Sequence, residues 1–325
     1  MPEWRNWYTR ATQNRVSQGM RVQVSPPAQM NKILVILGPT TTGKSALAVK
    51  LAKKYNGEVI SADSRQVYER LDIGTGKITK KEMMGVPHHM LDVVSPKKIF
   101  TVVDWKMQTE KIIDNIITRG KLPIICGGTG FYIQSIVDRI ILPNVAPNKN
   151  LRKKLEKKTL SQLVLMLKKL DPKRLKNIDV KNKVRLIRAI EIAKSLGSVP
   201  KIKRGESKYE ILQIGLRLED RKSKSKIHNR LLTRLKQGML NEAKKLHKKG
   251  LSYKRMRELG LEYKFLADYL EKKINKKDFI EKLEKEIWQY TKRQITWFKR
   301  DKRIKWFDPS ESKVIEKEIH RLLNN

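Results

Sequence analysis

The 325-residue chain holds one cysteine, Cys126, five histidines, and fewer than half as many acidic as basic residues, 33 against 73. A lone cysteine excludes an intramolecular disulfide and any cysteine-built metal cage, and it suits a reducing compartment. The histidines are too scattered to form a ligand set. Only His88 and His89 are neighbours, in GVPHHMLD, and adjacent side chains rarely converge on one ion, so a structural role is expected for both. No stretch approaches the roughly eighteen uninterrupted apolar residues of a membrane-spanning helix. The N-terminus lacks the basic-then-apolar pattern of a secretory signal, and a cytoplasmic location is expected.

What remains is a composition of 39% hydrophobic and 33% charged residues, that of a globular enzyme able to bury a sizeable core. The formal net charge of +40 points to a polyanionic partner, because a cationic surface binds phosphate backbones by counterion release with little sequence preference. A general lysine bias that merely solvates the surface explains the charge equally well, since the lysines are spread along the chain.

Residues 1–29 read differently. They show no helical or strand period, hold two of the six tryptophans, and carry four arginines but no lysine. One codon choice for RVQVSP contains GGTTCAAGTCTCC, which resembles the T-arm of a tRNA gene. The segment is therefore expected to be a non-native extension from a mis-assigned start, with Met30 as the true start. Its removal leaves the basic character intact.

From Asn31 the pattern is orderly. KILVIL is a short apolar run rich in branched residues, as in a buried parallel strand, and SALAVKLAKKY places apolar residues at helical spacing. Between them GPTTTGKS matches G-x-x-x-x-G-K-[ST] at Gly38, Gly43, Lys44 and Ser45, enclosing Pro39, Thr40, Thr41 and Thr42. The glycines let successive backbone N–H groups converge on an anion at the positive end of a helix, Lys44 adds a point charge, and the Ser45 hydroxyl can hold Mg²⁺. Most such loops cradle ATP or GTP. Two stretches argue otherwise: GEVISADSRQVY ends a strand at Asp63 too early for the acid that manages a nucleotide's magnesium, and KLPIICGGTGFY ends in glycines and Thr129 where that acid would stand.

The ordered series GPTTTGKS, SADSRQVY, DIGTGK, VPHHMLD, GGTGFY, NKVRLIRAIE and KRQITWF, over about residues 31–308, resembles the bacterial-type tRNA dimethylallyltransferases, also called tRNA isopentenyltransferases. The resemblance implies that the loop cradles the diphosphate of dimethylallyl diphosphate and that the acceptor is N6 of adenosine 37 in the tRNA anticodon stem-loop. It implies Asp63 as general base, since an exocyclic adenine amine is a weak nucleophile whose proton must be accepted as the C–N bond forms. Thr129 matches the residue that hydrogen-bonds the donor's bridging oxygen, and Lys44, Gly43 and Ser45 with Mg²⁺ stabilise the leaving pyrophosphate. In IGLRLEDRKSKSKIHNRLLTRL, Arg221 is the best match for an arginine on the same phosphates. For tRNA the resemblance implies Asp63, Ser64, Arg65 and Gln66 at the flipped base, Arg185 and Arg188 on one helix face, and Lys292, Arg293 and Gln294 beside an apolar helix face of Phe279, Leu283, Ile287, Tyr290, Trp297 and Phe298. A monomer is expected.

The fold class expected is α/β: a P-loop NTPase-like parallel sheet flanked by helices, with an inserted helical domain and a helical C-terminal region. Breaks at LPNVAPNKN and LGSVPKIKRGES divide the chain into a core of residues 30–142 plus 209–325 and a tRNA-contacting insertion of residues 143–208. YEILQIGLRLE reads as a strand returning to the sheet. RELGLEYKFL replaces the family's more usual Gly-Tyr-Lys-Glu type of stretch, so no tRNA contact is assigned near Gly260. Two other readings stay open here, an enzyme that prenylates free ATP, ADP or AMP and an ATP-driven RNA-binding protein. The insertion and the basic C-terminal half favour a polymeric acceptor.

Overall fold

Short branched runs separated by amphipathic helices leave the chain little choice but a parallel sheet covered on both faces. The computed structural model describes residues 31–324, so the expectation for residues 1–29 lies outside it. In chain order the elements are β1 (Lys32–Leu37), α1 (Lys44–Lys54), β2 (Gly57–Ala62), α2 (Lys80–Met83), β3 (His88–His89), α3 (Val102–Thr118), β4 (Leu122–Gly127), α4 (Gly130–Val137) and β5 (Ile140–Ile141). There follow α5 (Lys149–Glu156), α6 (Leu160–Leu170), α7 (Pro172–Leu175), α8 (Lys183–Leu196), β6 (Lys203–Arg204) and β7 (Glu210–Leu216). The chain ends with α9 (Asp220–Lys236), α10 (Met239–Lys248), α11 (Tyr253–Leu259), α12 (Leu261–Leu270), α13 (Lys276–Phe298), β8 (Ile304–Phe307) and α14 (Ser312–Asn324).

Six strands form one sheet in the order β3-β2-β4-β1-β7-β8, every pairing parallel. Strand period sorts β1 between two cores. Ile33, Val35 and Leu37 face the core under α3, α4 and the helices from α9 to α13, whereas Leu34 and Ile36 face the one under α1 and α14. A register slip of one residue would exchange these sets, so the pairing is fixed by burial. β8 is the element the sequence hides: IKWF pairs with β7 as an edge strand inside a stretch read as helical.

Helices α5 to α8 enclose a separate small core of Leu155, Leu163, Leu167, Leu186 and Ile190. Their base is closed by the antiparallel pair of β5 and β6, with Ile140 opposite Arg204 and Ile141 opposite Lys203. Glu191, buried on α8, ties this unit together by accepting from Asn148 N–H at 2.6 Å, Arg152 at 2.7 Å and Arg188 at 2.6 Å. These donors overcome the cost of burial and hold its carboxyl down at about 2. His89 and His88 are engaged structurally on β3: His89 Nε2 lies 2.8 Å from buried Glu58, which also pairs with Arg119 and Lys121, and His88 Nδ1 lies 2.8 Å from the Val86 carbonyl.

Candidate active site

In the sheet register, Leu37 and Ala62 both stand level with Gly127. Strands β1, β2 and β4 therefore stop at one edge, and the residues that follow them emerge side by side: Gly38 of the phosphate loop, Asp63, and Gly128 with Thr129. This is the carboxyl edge of an open α/β sheet, where ligands bind. Glycine is required where the three backbones crowd. A Cβ on Gly127 would collide with the Ala62 carbonyl, one on Gly128 with the Gln294 amide, and one on Gly38, whose φ is +142°, with the Leu216 carbonyl oxygen.

The loop wraps toward α1, whose N-cap Gly43 sits in the left-handed region at φ 83°. Thr42, fully buried, donates to the Pro39 carbonyl at 3.0 Å, and Lys44 Nζ donates to the same carbonyl. Burial in this pocket, with Arg230 nearby, pulls the Lys44 ammonium down to about 8. The loop thus presents a cation that a bound anion would stabilise.

Asp63 is held by two backbone donors, Arg65 N–H at 2.8 Å and Gln66 N–H at 3.4 Å, both to Oδ1. Among the described residues Oδ2 receives no hydrogen bond, so one carboxylate oxygen is anchored and the other is open to a proton. Thr129 Oγ1 accepts from Ser64 N–H at 3.0 Å. That bond uses the hydroxyl as acceptor and leaves its O–H to donate elsewhere. Tyr290 stands beside Thr129 and Asp63, and burial pushes its phenol up to about 12.

Lys44, Asp63 and Tyr290 line one cavity of about 110 Å³ with Thr40, Ser45, Arg65, Gln66, Gly76, Cys126, Arg230, Arg234, Leu261, Glu262 and Gln294 among its walls, and Thr129 directly follows its wall residue Gly128. Burial raises the Cys126 thiol to about 11, which keeps it neutral. No acid ends β4. The cavity combines an anion cradle and a positioned carboxylate, with the Thr129 hydroxyl beside its wall, as a group transfer with an anionic leaving group requires.

A family model described as IPP transferase matches residues 66–301. The chain belongs to the IPP transferase family. Its similarity to curated members spans nearly the whole length: the tRNA dimethylallyltransferase of Caldanaerobacter subterraneus subsp. tengcongensis is 40% identical over 296 residues, 88% of this chain and 94% of the relative. That of Anoxybacillus flavithermus is 36% identical over 298 residues, 90% and 95% of the two chains. The solved tRNA isopentenylpyrophosphate transferase of Bacillus halodurans superposes with a TM-score of 0.69 at 35% identity, covering 90% of this chain and 97% of that one. A eukaryotic dimethylallyltransferase acting on tRNA gives a TM-score of 0.69 at 27% identity over 82% and 69% of the chains. The IPP transferases are prenyltransferases, and the parallel sheet with its phosphate loop is their fold.

Not every residue picked from the sequence reaches this cavity. Arg221 is exposed near the start of α9 and does not line the cavity. Nine residues on, and so about 14 Å along the helix and on its opposite face, Arg230 takes that place. It donates to Thr40 Oγ1 at 3.1 Å and to the Gly76 carbonyl at 3.2 Å. Burial, then neighbouring Arg234, lowers its guanidinium to about 10, so it stays charged at neutral pH. Arg234 bonds the Gly74 carbonyl at 3.1 Å and Glu262 at 2.9 Å. The i, i+4 spacing of the two arginines was the available signal. The DIGTGK loop they grip is clamped from behind by Glu242, which accepts from the Asp72, Ile73 and Gly74 amides at 3.0, 2.7 and 2.9 Å and from the Tyr263 hydroxyl at 2.6 Å.

Of the remaining candidates, Arg65 and Gln66 line the cavity with Asp63, whereas Ser64 does not; all are half-buried. Arg185 is exposed on α8, whereas Arg188 is spent on Glu191 and on the Val145 carbonyl at 2.8 Å. Lys292 and Arg293 are exposed on α13, and Arg293 pairs with Glu286 at 2.7 Å. Gln294 is buried instead, donating to the Gly128 carbonyl at 2.8 Å while its Oε1 finds no partner among the described residues. Phe279, Leu283, Ile287 and Phe298 are core; Tyr290 and Trp297 are half-buried. Leu261 and Glu262, beside Gly260, line the cavity although no role was assigned there.

Proposed function

We propose that the protein transfers the dimethylallyl group of dimethylallyl diphosphate to N6 of adenosine 37 in tRNAs, giving N6-isopentenyladenosine and pyrophosphate. The observation that carries this reading is the meeting of Asp63, Arg230 and the loop residues Thr40, Lys44 and Ser45 in one cavity at the sheet's carboxyl edge, with Thr129 next to its wall and glycine where a nucleotide hydrolase would place its acid. N6 attacks the donor's first carbon as that carbon's bond to the bridging oxygen breaks, and the N6 proton passes to Asp63 Oδ2. Charge building on the diphosphate is met by Lys44, Arg230, the loop amides and the Thr129 hydroxyl, all fixed before reaction.

Mg²⁺ belongs to the same reading. Such an ion keeps several waters and takes one or two protein oxygens beside substrate phosphates; the Ser45 hydroxyl, exposed at the first turn of α1 and lining the cavity, fits that demand. When bound, it supplies neutralising charge for the departing pyrophosphate. The anticodon stem-loop as acceptor, action as a monomer and a cytoplasmic location complete the reading. Among the described residues no helix is long and apolar enough to cross a membrane.

The test is a transfer assay with dimethylallyl diphosphate, Mg²⁺ and unmodified tRNA carrying adenosines at 36 and 37, read by nucleoside mass. A gain confined to adenosine 37 is expected. Prenylation of AMP, or hydrolysis of ATP with intact tRNA unmodified, would overturn the reading.

A further inference from the structure

Helices α4 and α13 run side by side from the catalytic edge to the base of the insertion. Gly128, just ahead of α4, packs on Gln294; Gly130 packs on Trp297; and Asp138, the C-cap of α4, pairs with Arg303 at 2.5 Å just beyond α13. Between the two helices lies a second cavity of about 370 Å³, which runs along α4 from Gly130, the residue after Thr129, to Asp138. Two parts of the fold build its walls. Arg204 comes from β6 at the base of the insertion, and Arg300, Lys302 and Arg303 come from the turn between α13 and β8.

The charges in this second cavity are unequally used. Arg303 is committed to Asp138 and to Asp301 at 2.7 Å, and Gln134 donates to Asp138 at 3.0 Å, which makes a neutralised floor. Arg204 reaches Asp138 only at 3.4 Å with its side chain 65% exposed. Arg300 lies over the Trp297 ring at 5.7 Å, and among the described residues neither it nor Lys302 pairs with a carboxylate. Two unpaired cations from the core, Arg300 and Lys302, and the loosely paired Arg204 from the insertion thus border one nucleotide-sized space.

We propose that this neck cavity is a subsite for an RNA backbone phosphate flanking the target nucleotide, held by Arg204, Arg300 and Lys302, and that its occupation ties the insertion to the core while the target base is in the cavity. The proposal rests on the tRNA-modifying function. A backbone phosphate suits the site better than a base because the free groups are cations with no acceptor among them. Salt dependence reports each such contact.

The experiment uses the full chain, unmodified tRNA and the single variants Arg204→Ala, Arg300→Ala and Lys302→Ala, all at exposed positions, with Lys313→Ala on α14 as the control. Each neck variant is expected to weaken tRNA binding roughly two- to five-fold, the range of an exposed ion pair. Each should also flatten the slope of log affinity against log salt by roughly 0.7–0.9. The KM for the donor and the turnover at saturating tRNA should stay at wild-type values, and Lys313→Ala should change neither affinity nor slope. Wild-type slope and affinity in all three neck variants would overturn the subsite while leaving the transferase reading intact. Failure of the unaltered protein to bind or modify tRNA would overturn both.

Discussion

Replacing Asp63 by asparagine separates its chemistry from its scaffolding. The wild-type carboxylate uses Oδ1 to hold the amides of Arg65 and Gln66 at 2.8 and 3.4 Å, a task an asparagine carbonyl performs as well. What asparagine lacks is the basic second oxygen. A positioned general base contributes roughly 10²–10⁴ to rate, about 3–5 kcal/mol of barrier at 1.36 kcal/mol per tenfold. Asp63→Asn should therefore lose that factor in single-turnover transfer while tRNA affinity and donor KM stay within about two-fold. Asp63→Ala removes the amide acceptors too. One of those bonds is short and one long, so a further loss of about 1–2 kcal/mol in unfolding free energy is expected, with weaker tRNA binding through the loosened Ser64–Gln66 turn. The assay is rapid-quench transfer from labelled donor at saturating enzyme, beside denaturant unfolding of all three proteins. An asparagine variant within tenfold of wild type would refute the base assignment, and equal unfolding midpoints for asparagine and alanine would refute the scaffolding.

Three further outcomes are expected. Because burial lowers Lys44 to about 8 and the diphosphate binds the ammonium form, donor kcat/KM should fall about tenfold per pH unit above that value, and Lys44→Arg should remove this bend from the profile. Arg230→Ala should raise the donor KM at least tenfold whereas Arg221→Ala leaves it within about two-fold, consistent with loss of a charged hydrogen bond in one case and an exposed side chain in the other; steady-state kinetics decides. Glu191→Gln strands Arg152 and Arg188 and should cost about 3 kcal/mol, seen as lost hydrogen-exchange protection in α5 to α8. With the folded carboxyl held at about 2, below its ordinary value of 4.5, the wild-type contribution is complete above that ordinary value and declines as pH falls toward 2.

The phosphate loop, β1, β2 and β4 were legible from sequence because each is contiguous. Eight residues set where the loop amides point, and short branched apolar stretches such as ILVIL and PIIC declare strands buried on both faces. Asp63 and Thr129 lie just past such strands, and the family resemblance singled them out there. β8 was hidden because an edge strand of four residues has half its surface outside the core and no period long enough to detect. Arg188 and Gln294 sat in recognisable motifs, but their own neighbours, Glu191 and the Gly128 carbonyl, decide which way they face.

The chain by itself determined an anion cradle on a parallel sheet, a carboxylate beside it, an interrupting helical unit and a strongly cationic surface. Tertiary structure decided which cations serve the cradle. Arg221 and Arg230 are equivalent letters nine apart, and only the rotation of α9 against the DIGTGK loop, itself held by Glu242, turns Arg230 to Thr40 and leaves Arg221 in solvent. Helix phase relative to a distant loop is a property of packing, and packing joins residues that the sequence holds far apart.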